Sequence, residues 1–577
     1  MRRRTEVLLV GAFAVAAPLV TNPAQVAGLA DTAPSDLGDP LYFAWQLAWV
    51  GHALTTDPGH LWTTNEFQGA KDNLAYTDTV LGWAPLTLVT PGGQSGALAQ
   101  LNLATLIAGM LAIAGGYLLA RVLGSTIAGA LVAGVGYGFA PWRITQVIHI
   151  NIISNAGIPI TLALLAYGHG WSLRHGWRPD RIRAGWAAAG WLAACWQLTF
   201  GFALGIWFVY TVAVVTLALG VGWLLAGRRR MPWKRLPRRL LLADGLGGLV
   251  FLGWTYLLVT PYLRVLASHP DAQRSVAMLD LFSPPWFGLL TGAQYDWFWG
   301  DKQQLWRATR GWWAPEMEMS PGLLLLGVAV AGLFISRWPL RRRIGVAAVT
   351  AVLTVLSLGT TFPLAQYTYV PLYFHLPGWG NLRTPGRLMI WVTLGLCLLA
   401  AGAVDRIWHS VVEYQAQHVR SADSRAMRRR VAAALLTLPS LAILVEGLNV
   451  TPHWQVARSP IRLAALPQPL LILPSDIVVD YHLMLWSTEG WPVIANGDSG
   501  FNATEQARLR DSVLGFPDQA SLDALHQRGI ATVVLIRSRV GGTPDAKWFG
   551  AAGKPVTGLD LTRTDEGDAV VFDVRKH

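Results

Sequence analysis

The sequence predicts a mostly α-helical polytopic membrane protein of about 11 transmembrane helices, with interfacial helices in a first outer loop and a small C-terminal α/β extracytoplasmic domain. Composition is the first reason. Of 577 residues, 53% are hydrophobic and only 14% charged, against about 25% charged in soluble domains, and the mean hydropathy is +0.37. The second is that apolar runs of about 18 or more residues recur, each long enough to cross a hydrocarbon core. The third is charge placement. With the N-terminus inside, 25 Lys and Arg residues fall in inner segments and 9 in the outer loops before residue 450. This is the positive-inside pattern.

Taken in order, the start "MRRRTEVLLVGAFAVAAPLV" has the basic and apolar regions of a signal peptide but no prompt cleavage site, and is expected to be an uncleaved first span. The spans are expected at 6–22, 97–119, 125–141, 151–170, 184–200, 202–226, 240–261, 321–336, 344–360, 386–404 and 431–449. Residues 1–449 form the transmembrane module. The chain is thus expected to be a multi-pass cell-membrane protein with a cytoplasmic N-terminus and an outer domain at 450–577. That domain shows short β-type runs at 470–473 and 531–536 and a helical run at 521–529 ending at Gly529. The basic inner loops 228–239 and 406–430 are expected on an anionic leaflet. The net charge of +12 is therefore a consequence of topology, and no nucleic-acid partner is expected. Cys195 and Cys397 lie in apolar runs and read as buried thiols, not as a disulfide.

The first outer loop, 23–96, contains "SDLGDPLYFAWQLAW". Asp39-Pro40 is a strong helix start, with Asp favoured as N-cap and Pro at the first helical position. Leu41, Trp45, Ala48 and Trp49 recur at helical spacing, which predicts an amphipathic helix of about 12–16 residues lying in the outer interface with its Trp side chains at headgroup depth. A second such helix is expected from near Asp78. Asp39 is then either a cap alone or a carboxylate held at the membrane surface, with Asp36 one turn back.

Several stretches resemble the bacterial C-type (GT-C superfamily) polytopic membrane glycosyltransferases, which depend on polyprenyl-phosphate sugars. They are "GDPLYFAWQLAW", "LAYTD", "FAPWRITQVIHI" (139–150), "EMEMSPGLLLLG" (316–327), "LSLGTTFPLAQYTYVPLYFHLPGWGNLRTPGRLMIW" (356–391) and "LMLWSTEGWPVIANGDSGFNATE" (483–505). The resemblance implies transfer of a sugar from a polyprenyl-phosphate carrier to a glycan, lipid or protein acceptor on the outer face. It places the catalytic acidic position on Asp39, with Asp36 next and Asp78 as the loop's second acidic position. Gly386 stands where the family pattern often has Ala, and Asp498 where Tyr is common.

The chemistry needs a base for the acceptor hydroxyl, positive charge for the leaving phosphate and a groove for the isoprenoid. Outer cations are sparse, so those present become candidates for phosphate and substrate binding: Arg143 near His149, and Arg383 and Arg387 four residues apart. Arg264 and Arg274 follow the seventh span. Glu318, Tyr295 and Asp296 are candidates for the acceptor side. No His/Cys cluster has metal-ligand spacing. An acidic pair with His149 could hold a divalent cation, but no cofactor is expected. Two other classes fit the composition. One is a transporter or flippase, disfavoured because the spans carry almost no internal charge. The other is a scaffold presenting 450–577.

Overall fold

The computed structural model describes residues 3–230, 237–272, 274–308, 314–418, 422–501, 504–542, 548 and 550–575. The central parts of both basic inner loops, 231–236 and 419–421, lie outside the described residues. The chain is mostly helical. Among the described residues, six helices are long and apolar enough to cross a membrane: Arg4–Thr21, Gly93–Leu123, Ile150–Gly168, Phe202–Val221, Arg238–Ser268 and Pro385–His418. The other five expected spans also overlap helices, four of them shorter, Ile127–Gly138, Ala184–Leu198, Leu323–Phe334 and Leu438–Glu446, and one, Leu340–Ser357, of 18 residues with three arginines in its first turn. A helix of 12 residues, such as Ile127–Gly138, is about 18 Å long, short of the roughly 30 Å core.

Small residues set how closely the helices approach. A methyl at Gly116 would lie 2.9 Å from the Ala133 carbonyl oxygen, and one at Gly134 would lie 2.7 Å from that of Ile113. The Gly93–Leu123 and Ile127–Gly138 helices therefore touch backbone to backbone, as membrane helices without a hydrophobic driving force between them do. Several basic residues assigned to the inner face gather at one end of the bundle. The Arg121 Nε donates to Glu6 at 2.7 Å, Arg342 donates to the Leu173 carbonyl at 2.6 Å, and the Arg174 amide donates to that of Leu123 at 3.1 Å.

The C-terminal part builds a four-stranded sheet in the order Leu470–Leu473, Thr532–Ile536, Ala569–Asp573, Thr562–Glu566. The first pair is parallel and the other two antiparallel. Leu470–Leu473 and Thr532–Ile536 are buried at every position and are apolar apart from Thr532, because both of their faces are covered. Leu471, Leu473, Val533 and Leu535 face a core with Leu509, Leu522 and Leu525, which lie on the helices Thr504–Ser512 and Gln519–Gln527. Leu470, Ile472, Val534 and Ile536 face a second core that contains Leu41, Trp45 and Leu47 of the first outer loop.

That second core corrects the interfacial reading of the loop helix. Asp39–Thr56 has 18 residues and is buried on every side for most of its length. Trp45 is fully buried and Trp49 nearly so, covered by the Val479–Trp486 helix and by Gly93–Leu123. Its tryptophans are core side chains, not headgroup anchors. The second expected interfacial helix shrinks to a 3₁₀ turn, Leu81–Trp83, and one helical turn, Ala84–Thr87. The loop is also stitched to the C-terminal part by backbone, with Thr32–Pro34 pairing antiparallel with His453–Gln455.

Candidate functional site

Asp39 opens its helix at the first helical position, and its side chain makes no capping bond. Gly38 takes the cap position, and the Gly38 amide donates to Asp36 Oδ1 at 2.9 Å. The expected roles are therefore exchanged: Asp36 closes the turn that starts the helix, and Asp39 is released from it. The freed Asp39 carboxylate accepts from His149 Nε2 at 2.9 Å and keeps 40% of its side-chain surface open to a cavity of about 560 Å³.

His149 is fixed from behind. Gln146 donates its amide nitrogen to the Pro315 carbonyl at 3.1 Å, so its oxygen faces His149 Nδ1 at 2.9 Å. Both ring nitrogens thus face oxygens, which fixes the orientation of the ring. Burial alone would raise the Asp39 carboxyl. The His149 hydrogen bond and charge, joined by Arg387 and Arg383, outweigh it and hold Asp39 below its ordinary value of 3.8. Burial, with the Asp39 charge adding, raises the carboxyl of Asp36 instead.

Three arginines line the same cavity: Arg274, Arg383 and Arg387. Arg387 forks onto Glu316, with Nη2 at 2.6 Å and Nε at 3.1 Å from Oε1. Arg274 donates to the Gly500 carbonyl at 2.6 Å. Arg383 lies over the Phe282 ring at 4.8 Å and makes no ion pair among the described residues. Burial, reinforced by Arg274 and Arg387, pushes Arg383 down to about 10, still charged at neutral pH. Beyond the arginines the wall turns apolar, with Ile206 and Val209 of one span and Val259 and Leu263 of the next.

Asp78 also lines the cavity, but both of its oxygens are engaged. Oδ1 accepts from the Ala203 amide at 2.9 Å, closing the start of the Phe202 helix, and Oδ2 accepts from Asn151 Nδ2 at 2.9 Å. Asp39, Asp78, His149, Arg383 and Arg387 are thus brought together, while Asp36, Arg143 and Glu318 do not line the cavity. Arg143 is buried among Asn155 and the Ile153 carbonyl, at 3.1 and 3.0 Å. Glu318 accepts from the Gln294 amide at 3.0 Å. Asp296 accepts from the Phe298 and Trp299 amides, both at 2.8 Å, and neither it nor Tyr295 reaches the cavity.

Sequence reasoning missed Glu316, two residues before the Glu318 it chose. The alternation in "EMEM" carried a signal, since Glu316 and Glu318 find different partners, but nothing local ranked them. Tyr42, Tyr481 and Ser499 also line the cavity, and Tyr42 meets Ser499 at 3.4 Å across 457 residues of sequence. No local pattern could announce that meeting. Among the described residues, no three His, Cys, Asp or Glu side chains are grouped to hold a metal.

No family model matches the chain, and no curated protein matches it in sequence. Solved structures do match in fold. The arabinofuranosyltransferase AftD from Mycobacteria superposes with a TM-score of 0.57 at 17% identity over 100% of this chain, which spans 42% of that protein's length. ArnT from Cupriavidus metallidurans, captured with undecaprenyl phosphate, gives 0.45 at 16% identity over 99% of this chain and 98% of its own. The oligosaccharyltransferase AglB from Archaeoglobus fulgidus, captured with an inhibitory peptide and a dolichol-phosphate, gives 0.43 at 13% over 98% and 74%. The chain thus shares its fold, with its long apolar helices, with the arabinofuranosyltransferase AftD.

Proposed function

We propose that this chain is a membrane glycosyltransferase that moves a sugar from a polyprenyl-phosphate donor to a hydroxyl of an extracytoplasmic glycan, lipid or protein acceptor. One observation carries the reading: a single cavity joins an open, ionised carboxylate, Asp39, to a half-buried guanidinium, Arg383, that has no carboxylate partner among the described residues, and continues into an apolar trough between two spans. Such a set of walls matches an amphiphile with a lipid tail, a phosphate and a sugar in line. The AftD fold and the motif resemblance support the same class.

In this reading the isoprenoid lies along Ile206, Val209, Val259 and Leu263, and the phosphate meets Arg383 with Arg274 and Arg387 beside it. The acceptor oxygen forms a bond to the anomeric carbon. The bond from that carbon to the phosphate oxygen breaks, its electron pair leaves with the phosphate, and the hydroxyl proton passes to Asp39. Phosphate is a competent leaving group once its charge is met by preorganised cations, so no protein acid is needed. A carboxylate held below its ordinary value is a weak base at rest. It orients the hydroxyl in the ground state and takes the proton as the new bond acidifies it.

Asp39→Asn tests this. The amide oxygen can still accept from His149, so the fold should be retained. Transfer from polyprenyl-phosphate sugars by the protein in nanodiscs should fall by about 10²–10⁴-fold. Wild-type turnover in that variant would remove Asp39 from the chemistry.

A further inference from the structure

A second cavity, also about 560 Å³, lies beside the first, where the Arg238–Ser268 helix ends beneath the C-terminal part. This volume is within the range of small-molecule sites. Tyr76 lines both cavities. Its ring lies 4.6 Å from Phe501, which faces the first cavity, and its hydroxyl meets His269 Nε2, which faces the second, at 3.2 Å. The partition between the two is an aromatic cluster.

We propose that this second cavity is the acceptor cleft and that it takes a neutral glycan, whose terminal hydroxyl passes Tyr76 to reach Asp39. The proposal rests on the reading of the first cavity as the transfer site. Three features point to a sugar chain. The faces of Phe67 and Tyr76 suit the apolar C–H faces of sugar rings. Gln506 lines the cleft at 5% exposure, and its amide nitrogen has no hydrogen-bond partner among the described residues. A buried donor left open costs about 1–3 kcal/mol unless a ligand oxygen meets it. The cleft's charges, finally, are largely balanced. Arg264 is forked onto Asp72 at 2.7 and 2.6 Å, and Glu505 shares the wall with Arg528. The lining thus carries three cations, Lys71, Arg264 and Arg528, against the two carboxylates of Asp72 and Glu505, an excess of one positive charge and too little for a polyanion.

The test uses the full chain in nanodiscs and saturation-transfer NMR with linear gluco-, manno- and arabino-hexasaccharides, plus one phosphorylated hexasaccharide. At least one neutral hexasaccharide should bind. Ala70→Trp, which places a large side chain at the rim, and Gln506→Leu, which removes the orphan donor at nearly equal volume, should each weaken it at least tenfold. Gln506→Leu deletes an unsatisfied buried group, so a folding defect is not expected and loss of binding reports on the cleft. The proposal is overturned if no neutral hexasaccharide binds, if neither variant weakens binding, or if the phosphorylated probe binds tenfold better than every neutral one. Binding of undecaprenyl phosphate to the wild-type protein, measured in parallel, reports on the first cavity. Its absence beside intact hexasaccharide binding overturns the donor reading and not the cleft.

Discussion

Asp39 and Asp296 show how two outer carboxylates in one protein are set to opposite ends of their range. The His149 hydrogen bond and charge, with the arginines, hold Asp39 below its ordinary value, so it stays ionised across the neutral and mildly acidic range. The rate of transfer should therefore be insensitive to this group from about pH 7 down to about pH 5, and a bell-shaped profile should have no acidic limb there. Asp296 goes the other way. Burial outweighs its two backbone donors and, with the Glu446 charge adding, pushes it up to about 6, and its Oδ2 is buried without a partner among the described residues. The folded state then binds more protons than the unfolded state between about pH 4 and 6, so stability falls as pH rises through that window and levels off above it. Asp296→Asn keeps an oxygen for the two amides and removes the buried charge. Its melting temperature at about pH 7.5 should rise by roughly 2–4 °C, and the slope between pH 4 and 6 should flatten. An unchanged slope would assign the pH dependence elsewhere.

At the scale of the element, the Phe202 helix forms one wall of the cavity, and Asp78 fixes where it begins. Gly201, just before it, sits at φ +151°, and a methyl there would lie 3.2 Å from the Asn151 side chain and 3.3 Å from Asp78 Oδ2. This explains why glycine precedes the helix: the backbone turns in a region that side chains avoid. Asp78 thus acts through its hydrogen bonds and not its charge, which sets it apart from Asp39. Asp78→Asn can keep the bond to the Ala203 amide. Asn151, whose Oδ1 has no partner among the described residues, can flip to accept from the new amide. Turnover should stay within about tenfold of wild type, whereas Asp78→Ala should cost about 0.5–2 kcal/mol of stability through the lost cap. If Asp78→Asn is as inactive as Asp39→Asn, the loop's second carboxylate belongs to the chemistry.

Across the whole molecule, the C-terminal part completes the cavity as well as covering the outer loop. Asp480, fully buried, accepts from Arg510 at 2.8 Å, and the same guanidinium holds the Gly497 carbonyl at 2.8 Å. This fixes "NGDSG", whose Ser499 meets Tyr42 and whose Gly500 carbonyl holds Arg274. Arg510→Met leaves a buried carboxylate unpaired and should cost about 3–5 kcal/mol by denaturation. Transfer should fall in the same variant, because Arg274 loses its anchor. Adding Asp480→Asn should restore part of the stability, as expected when most of the loss is the stranded charge.

Much of this protein is written locally. Apolar runs, basic flanks and the strand runs of the last hundred residues fall where they do because burial in lipid or in a sheet is a property of each segment's own composition. That is why every expected span coincides with a helix and why Leu470–Leu473, Thr532–Ile536 and the helix before Gly529 were legible. The motif order likewise brought Asp39, His149, Arg383 and Arg387 into view. What the sequence could not express is what covers a segment. The Asp39 helix reads as amphipathic because its tryptophans recur at helical spacing, yet the Val479–Trp486 helix lies over it, and a surface stripe becomes core. The choice of Glu316 over Glu318, the release of Asp39 from capping by Asp36 and the meeting of Tyr42 with Ser499 all depend on contacts between distant parts of the chain. Composition and periodicity determined which segments form the long apolar helices, and only tertiary packing decided which charges face the cavity.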